Sequence, residues 1–248
     1  MKLRTIILTG CTLLTLLACS EKKTADAEES IAINDEQNEP GDSTLYGLAC
    51  EGCTDSIIVF LPNSGGDPDT FDIVDARKAR QVFGRPKIGD NLAVVVNPDD
   101  RHVADLVIDI DELKGSWGYQ AIPTLRKTLT ITPDGKTRAL PDSIREKILK
   151  PLEFGLRLKQ EWSAAPIGYR AKMAIDPQLP VEYPELKFYT QWRIFNGQLV
   201  LTEDRSLLNK NDSVSEISRD TVQLVMLRRD TLVLQFKDRT QGYYRIQQ

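Results

Sequence analysis

Gln191-Trp192-Arg193-Ile194-Phe195-Asn196-Gly197-Gln198-Leu199-Val200-Leu201-Thr202 reads as a β-hairpin. Two runs of aromatic, aliphatic and β-branched residues flank Asn-Gly, the pair that most readily takes the left-handed backbone of a two-residue I′ turn. The period of two continues downstream. Thr221 to Leu227 alternates through Val222, Leu224 and Met226, turns at Arg228-Arg229-Asp230, and resumes through Leu232, Leu234 and Phe236. A last run, Gly242 to Gln247, carries Tyr243, Tyr244, Arg245 and Ile246. Hairpin-length links between successive strands predict an antiparallel meander, and a meander of this length hides its edges by closing on itself.

Working back from the hairpin, Leu113-Lys114-Gly115-Ser116-Trp117-Gly118-Tyr119 predicts the strand that opens the same unit. A strand near Leu125 to Thr132 and the turn Pro133-Asp134-Gly135 follow. Ser143-x-x-Glu146 reads as a capping box, starting a short helix on Ile144, Ile148, Leu149 and Leu152 that bends or stops at Pro151. Phe154, Leu156 and Leu158 restore the alternation, and residues 163–186, with Pro166, Pro177, Pro180 and Pro184, read as a long irregular connection. Gly115-x-Trp117 on an opening strand resembles the signature of the lipocalins. That resemblance implies an up-and-down barrel over residues 111–248, in which Arg245 of the last strand packs across Trp117. A barrel of eight strands either encloses one small ligand or is filled by its own side chains.

Residues 44–110 show the same period in shorter runs, which predicts about five strands and a small barrel of OB-like size. Ser56 to Leu61 reads as a strand stopped by Pro62, and Thr70 to Val74 as a second. Asp75 to Val82 reads as one or two helical turns. Leu92-Ala93-Val94-Val95-Val96 is continuous enough to be buried on both faces. His102 to Ile110 reads as one-sided, with Ala104, Leu106, Ile108 and Ile110 as its apolar face. The fold expected is therefore mostly β: a small OB-like barrel, then a lipocalin-like antiparallel barrel with one short helix. This organisation resembles lipid-anchored proteins of the Bacteroidota that carry a small β-barrel ahead of a lipocalin-like domain, a resemblance that implies no activity.

The N-terminus reads as an address. Lys2 and Arg4 precede an apolar run from Thr5 to Ala18 that is too short to span a bilayer. Leu16-Leu17-Ala18-Cys19 resembles the lipobox of bacterial lipoproteins. The resemblance implies cleavage of residues 1–18, acyl chains on Cys19, and attachment to the cell envelope, most simply the outer membrane, in either leaflet. Loss of residues 1–18 leaves 30 basic against 36 acidic side chains in the mature chain. Residues 19–43 hold eight acids against Lys22 and Lys23, and read as a solvated acidic tether.

Composition narrows the chemistry. The 248 residues include Lys+Arg 32, Asp+Glu 36, four Cys and one His, for a net charge of −4. That balance offers no basic footprint for nucleic acid. No nucleophile elbow, phosphate loop or zincin motif occurs, so the expectation is a protein without catalysis, cofactor or resident metal. Cys50-Glu51-Gly52-Cys53 is the sharpest constellation. A β strand follows it where a redox pair has a helix N-terminus, which points away from oxidoreductase chemistry. Two readings stand for Cys50 and Cys53: a local disulfide, or a Cu(I)-binding or redox-sensing pair, since two thiolates satisfy Cu(I). The second resembles an enterobacterial outer-membrane lipoprotein family linked to copper and surface sensing. Asp67, Asp69, Asp72 and Asp75 lack calcium-loop spacing and read as a solvated loop. Trp117, Trp162 and Trp192 read as core. The function expected is that of a lipid-anchored envelope protein whose barrel binds a small apolar ligand or serves as a scaffold, with the cysteine pair as the alternative. No protein partner is assigned.

Overall fold

The computed structural model describes residues 40–125, 141–168, 181–184, 187–204 and 217–247. The leader, Cys19, nearly all of the tether, the turn at Pro133 and much of the connection through Pro177 lie outside them. The chain is mostly β. In order, its elements are β1 (Thr44–Ala49), β2 (Ile57–Pro62), β3 (Asp69–Asp72), α1 (Val74–Lys78), β4 (Val82–Phe83), β5 (Asn91–Val96), β6 (Ala104–Asp109), α2 (Ile110–Leu113), β7 (Gly115–Ala121), β8 (Thr124–Leu125), α3 (Asp142–Ile148), β9 (Leu152–Leu158), β10 (Ala164–Ile167), β11 (Val181–Glu182), β12 (Tyr189–Phe195), β13 (Gln198–Asp204), β14 (Ile217–Arg228), β15 (Thr231–Gln235) and β16 (Thr240–Arg245). Among the described residues no helix is long and apolar enough to cross a membrane.

Eight of these strands form the barrel, in the order β10-β9-β7-β16-β15-β14-β13-β12. Read along the chain this is one up-and-down walk, and β16 returns to β7 through Tyr244↔Gly118 and Arg245↔Trp117. The remaining seam, between β10 and β12, is drawn together by an isolated bridge, Ser163↔Gln191, and by the Trp192 N–H, which donates to the Trp162 carbonyl at 2.8 Å. The barrel is therefore nearly closed, and its sheet edges are short. Asn196 and Gly197 turn β12 into β13 with φ of 48° and 71°, a left-handed backbone that asparagine tolerates and glycine, lacking Cβ, adopts freely.

The preceding residues form a six-stranded sheet, β3-β2-β1-β5-β6-β4, with β4 parallel to β6. Asp72↔Val103 curls the free end of β3 toward the start of β6. Two local expectations change here. Val74 begins α1 instead of ending a strand, because the Asp72 carboxylate accepts its N–H at 2.7 Å and turns the chain. Val82 belongs to β4, the strand beyond the five expected.

The larger revision concerns β6, which is buried on both faces at Val107 and Ile108. Val107 faces a core made with Ile58, Phe60, Leu92 and Val94. Ile108, with Tyr46 and Ala93, joins a second cluster that contains Trp117, Trp192, Leu199 and Leu232 of the barrel. One face of the small sheet thus packs on the barrel, and the two sheets share a core. The β12–β13 hairpin lies in this contact. A Cβ on Gly197 would come within 3.1 Å of Leu106 and Val95, and Asp42 and Ser43 hydrogen-bond to Asn196 at 2.8 Å each.

Helix α1 overlaps the helical turns expected from Asp75 to Val82, and α2 adds to the one short helix expected in the barrel unit. The capping box does not form. Helix α3 begins at Asp142 behind Pro141, whose extended backbone (ψ 141°) starts it without a side-chain cap, so Ser143 and Glu146 fall inside the helix. The last-turn residue Leu149 ends it before Pro151.

Candidate functional site

The base of the barrel is built around Trp117, which is 0 % exposed. Helix α2 leads into it. The Asp109 carboxylate caps that helix by accepting the Glu112 N–H at 2.8 Å, and the Trp117 indole N–H donates to the Leu113 carbonyl at 2.8 Å. The Arg245 guanidinium lies over the ring, 4.1 Å from its centroid. It also donates to the carbonyls of Lys114 (2.9 Å), Glu112 and Arg229. A cation here meets three carbonyl oxygens and a π face, so its burial is compensated. Gly115 is required twice over: its φ is +135°, and a Cβ would fall 2.4 Å from Arg245 Nη1. The structure thus brings Gly115, Trp117 and Arg245 together as a plug.

Further along these strands the barrel is lined by aromatic rings. Tyr119 stands edge-on to Tyr243 at 5.4 Å and tilted against Phe154 at 6.4 Å. The Tyr189 hydroxyl donates to Asp220, and burial raises the phenols of Tyr189 and Tyr243 above their ordinary value. The cavity these residues leave, with Phe236 and Arg239, measures about 30 Å³. That is room for about one water, against ~300–1,000 Å³ for a pocket that encloses a small organic ligand.

Cys50 and Cys53 close the turn after β1, with Gly52 at φ +101° between them. Both thiols are free and half-buried, so the disulfide reading has no bond in this structure. The Val59 N–H points at Cys53 Sγ (3.3 Å), and the Cys50 N–H donates to the Val59 carbonyl at 2.8 Å. Among the described residues no group of three or more His, Cys, Asp or Glu side chains converges to hold a metal.

Two features escaped the sequence. The first is an open cleft of about 1020 Å³ bordered by Gly84, Arg85, Asp109 and Glu112 on one side and by Arg228, Arg229 and Arg245 on the other. Asp109 is 1 % exposed. Burial pushes its carboxyl up to about 7, against the pull of the Glu112 N–H and with help from Asp90, Glu112 and Asp111. Glu112 accepts the Arg85 N–H through Oε2 at 2.9 Å, while its Oε1 is buried without a hydrogen-bond partner.

The second feature is the turn between β9 and β10, where Glu161 and Trp162 have φ of 55° and 56°. Both central residues of this tight turn are left-handed, yet neither is Gly, Asn or Asp. The indole this turn presents is only half-buried and packs on Trp192 (4.7 Å between centroids) and Tyr46 (6.2 Å). Of the three tryptophans read as core, Trp162 is thus the one that reaches the surface, beside a cavity of about 390 Å³. Asparagine tolerates this left-handed backbone better than the exposed Glu161 does, so Glu161→Asn is expected to stabilise the fold by about 1 kcal/mol. Urea denaturation checks this; a lower midpoint would show that the glutamate is favourable where it stands.

Compared with protein-family models, with curated proteins and with solved structures, the chain matches none.

Proposed function

We propose that the protein is a non-enzymatic lipoprotein of the bacterial cell envelope, acylated at Cys19 and most simply held at the outer membrane, whose barrel serves as a filled scaffold. The anchor rests on the sequence, on Leu16-Leu17-Ala18-Cys19 behind a short apolar run. The scaffold part is supported by one observation: the described barrel interior is occupied by side chains such as Trp117, Leu199, Leu232 and Leu234, with a cavity of about 30 Å³ among its aromatic rings. A carrier of apolar molecules needs a space about ten times larger. Mass spectrometry of protein purified from its own host is the test. Diacylglyceryl mass on Cys19 and no retained lipid-like mass under native conditions are expected. An unacylated N-terminus would remove the anchor, and a stoichiometric apolar ligand would return the barrel to the carrier class.

A second reading, copper or redox sensing by Cys50 and Cys53, is supported by the two free thiols in one turn and the amide N–H aimed at Cys53 Sγ. Titration with Cu(I) of the wild type and of Cys53→Ser distinguishes it. On this reading the variant loses at least about tenfold in affinity, because a lone thiolate leaves Cu(I) short of a ligand. Equal affinity would end the metal version.

A further inference from the structure

The seam between β10 and β12 carries more than closure. Trp162 forms a platform there, and three strands present a polar wall next to it. Gln191 of β12 pairs with Thr202 of β13, and Thr202 pairs with Arg219 of β14, so these three side chains stand abreast on one face. Arg193, two residues along β12 from Gln191, shares that face and is held over the Phe195 ring at 5.7 Å. The platform and the wall line the same cavity of about 390 Å³, within the range that holds a small organic ligand.

Three properties of this cavity converge on one ligand chemistry. An indole face offers a flat apolar surface to the C–H side of a sugar ring. A side-chain amide, two hydroxyls (Thr190 and Thr202) and guanidinium groups supply the planar, paired donors and acceptors that match neighbouring hydroxyls on such a ring. In this lining two guanidiniums, Arg193 and Arg219, stand against the single carboxylate of Glu161, and the two cations repel each other. Burial, and then the nearby Arg219, hold Arg193 below its ordinary value, so a carboxylate between the two cations is favoured electrostatically.

The turn supplies an independent observation. The same chain places Asn-Gly at its β12–β13 turn, where the left-handed conformation is free of strain, but places Glu-Trp at the β9–β10 turn in that conformation. Backbone strain of this kind persists where the surroundings hold it, and it clusters at binding sites. Here it sets an indole at the mouth of the polar cavity.

We propose that the Trp162 platform and the Gln191–Thr202–Arg219 wall form a binding site for an acidic saccharide, with the sugar ring stacked on Trp162 and its carboxylate between Arg193 and Arg219. The site lies outside the barrel interior, so it stands whether or not the interior is filled.

Calorimetric titration of the full mature protein with trigalacturonate, and with maltotriose as the neutral comparison, tests it. Trigalacturonate binds at least about tenfold more tightly than maltotriose, the difference expected of one carboxylate–guanidinium contact. Trp162→Ala abolishes the heat of binding. Arg219→Gln weakens trigalacturonate about tenfold more than it weakens maltotriose and leaves the melting temperature unchanged, because Arg219 is exposed and its loss does not touch the core. Absence of heat with about 10 mM trigalacturonate would overturn the proposal. Equal binding of the two sugars, or wild-type binding by a folded Arg219→Gln, would do the same.

Discussion

Arg245→Ala is expected to lose about 3 kcal/mol of stability and Trp117→Ala about 4 kcal/mol, a large part of what a domain of this kind possesses. The tryptophan is 0 % exposed, and its removal leaves a cavity at the meeting point of α2, β7 and β16. The arginine spans more groups than any other side chain at the base: the Trp117 ring and the carbonyls of Glu112, Lys114 and Arg229. Truncation leaves those carbonyls short of a donor, which costs more than the contacts themselves return. Arg245→Lys should rescue little, since an ammonium has neither the flat face that stacks on an indole nor the fork that reaches three oxygens. Because the two residues touch, the double variant should be less destabilised than the sum of the singles. Urea titration of the wild type and these four variants checks this. Strict additivity, or full rescue by lysine, would mean that the guanidinium does not act on the ring.

The second large effect is a dependence on pH that resides in Asp109. Its folded-state value is raised to about 7 from an ordinary 3.8, so the native state holds the proton more tightly than the unfolded chain does. Stability from this group is fully present below pH 3.8 and is lost as pH rises through about 7. The three-unit gap corresponds to at most about 4 kcal/mol between pH 4 and pH 8. Asp109→Asn keeps an oxygen to cap the Glu112 N–H and removes the titration. The variant should therefore be more stable than the wild type at pH 8 by a few kcal/mol and show little difference at pH 4. Parallel stability curves for the two proteins across this range would sink the assignment.

The barrel was legible because its defining signals are local. Asn196-Gly197 announces its own backbone conformation, and the alternation of Val222, Leu224, Leu232 and Leu234 needs no partner to be seen. What stayed hidden depends on contacts between the sheets. Val107 looked like the outer face of a half-exposed strand because nothing in the period of two says that a core lies on each side of β6. Asp109 looked like one more solvated acid in an alternating run, and only its place beneath α2 buries it. The turn at Glu161-Trp162 carries none of the residues by which such turns are recognised, so the platform it builds was read as core. The capping box misled for a simpler reason: Pro141 takes the N-cap position two residues ahead of Ser143.

The common core of the two sheets bears on how the protein can be handled. Severed between Ile110 and Asp111, the N-terminal piece would show solvent the greasy flank formed by Tyr46, Ala93 and Ile108, and the C-terminal piece would lose Tyr46 from beside Trp162 and Ile194, and Leu106 and Val95 from beside Gly197. Such fragments are prone to clump. The halves are consequently poor candidates for separate expression or for grafting onto other proteins, and heat should melt them together in a single step.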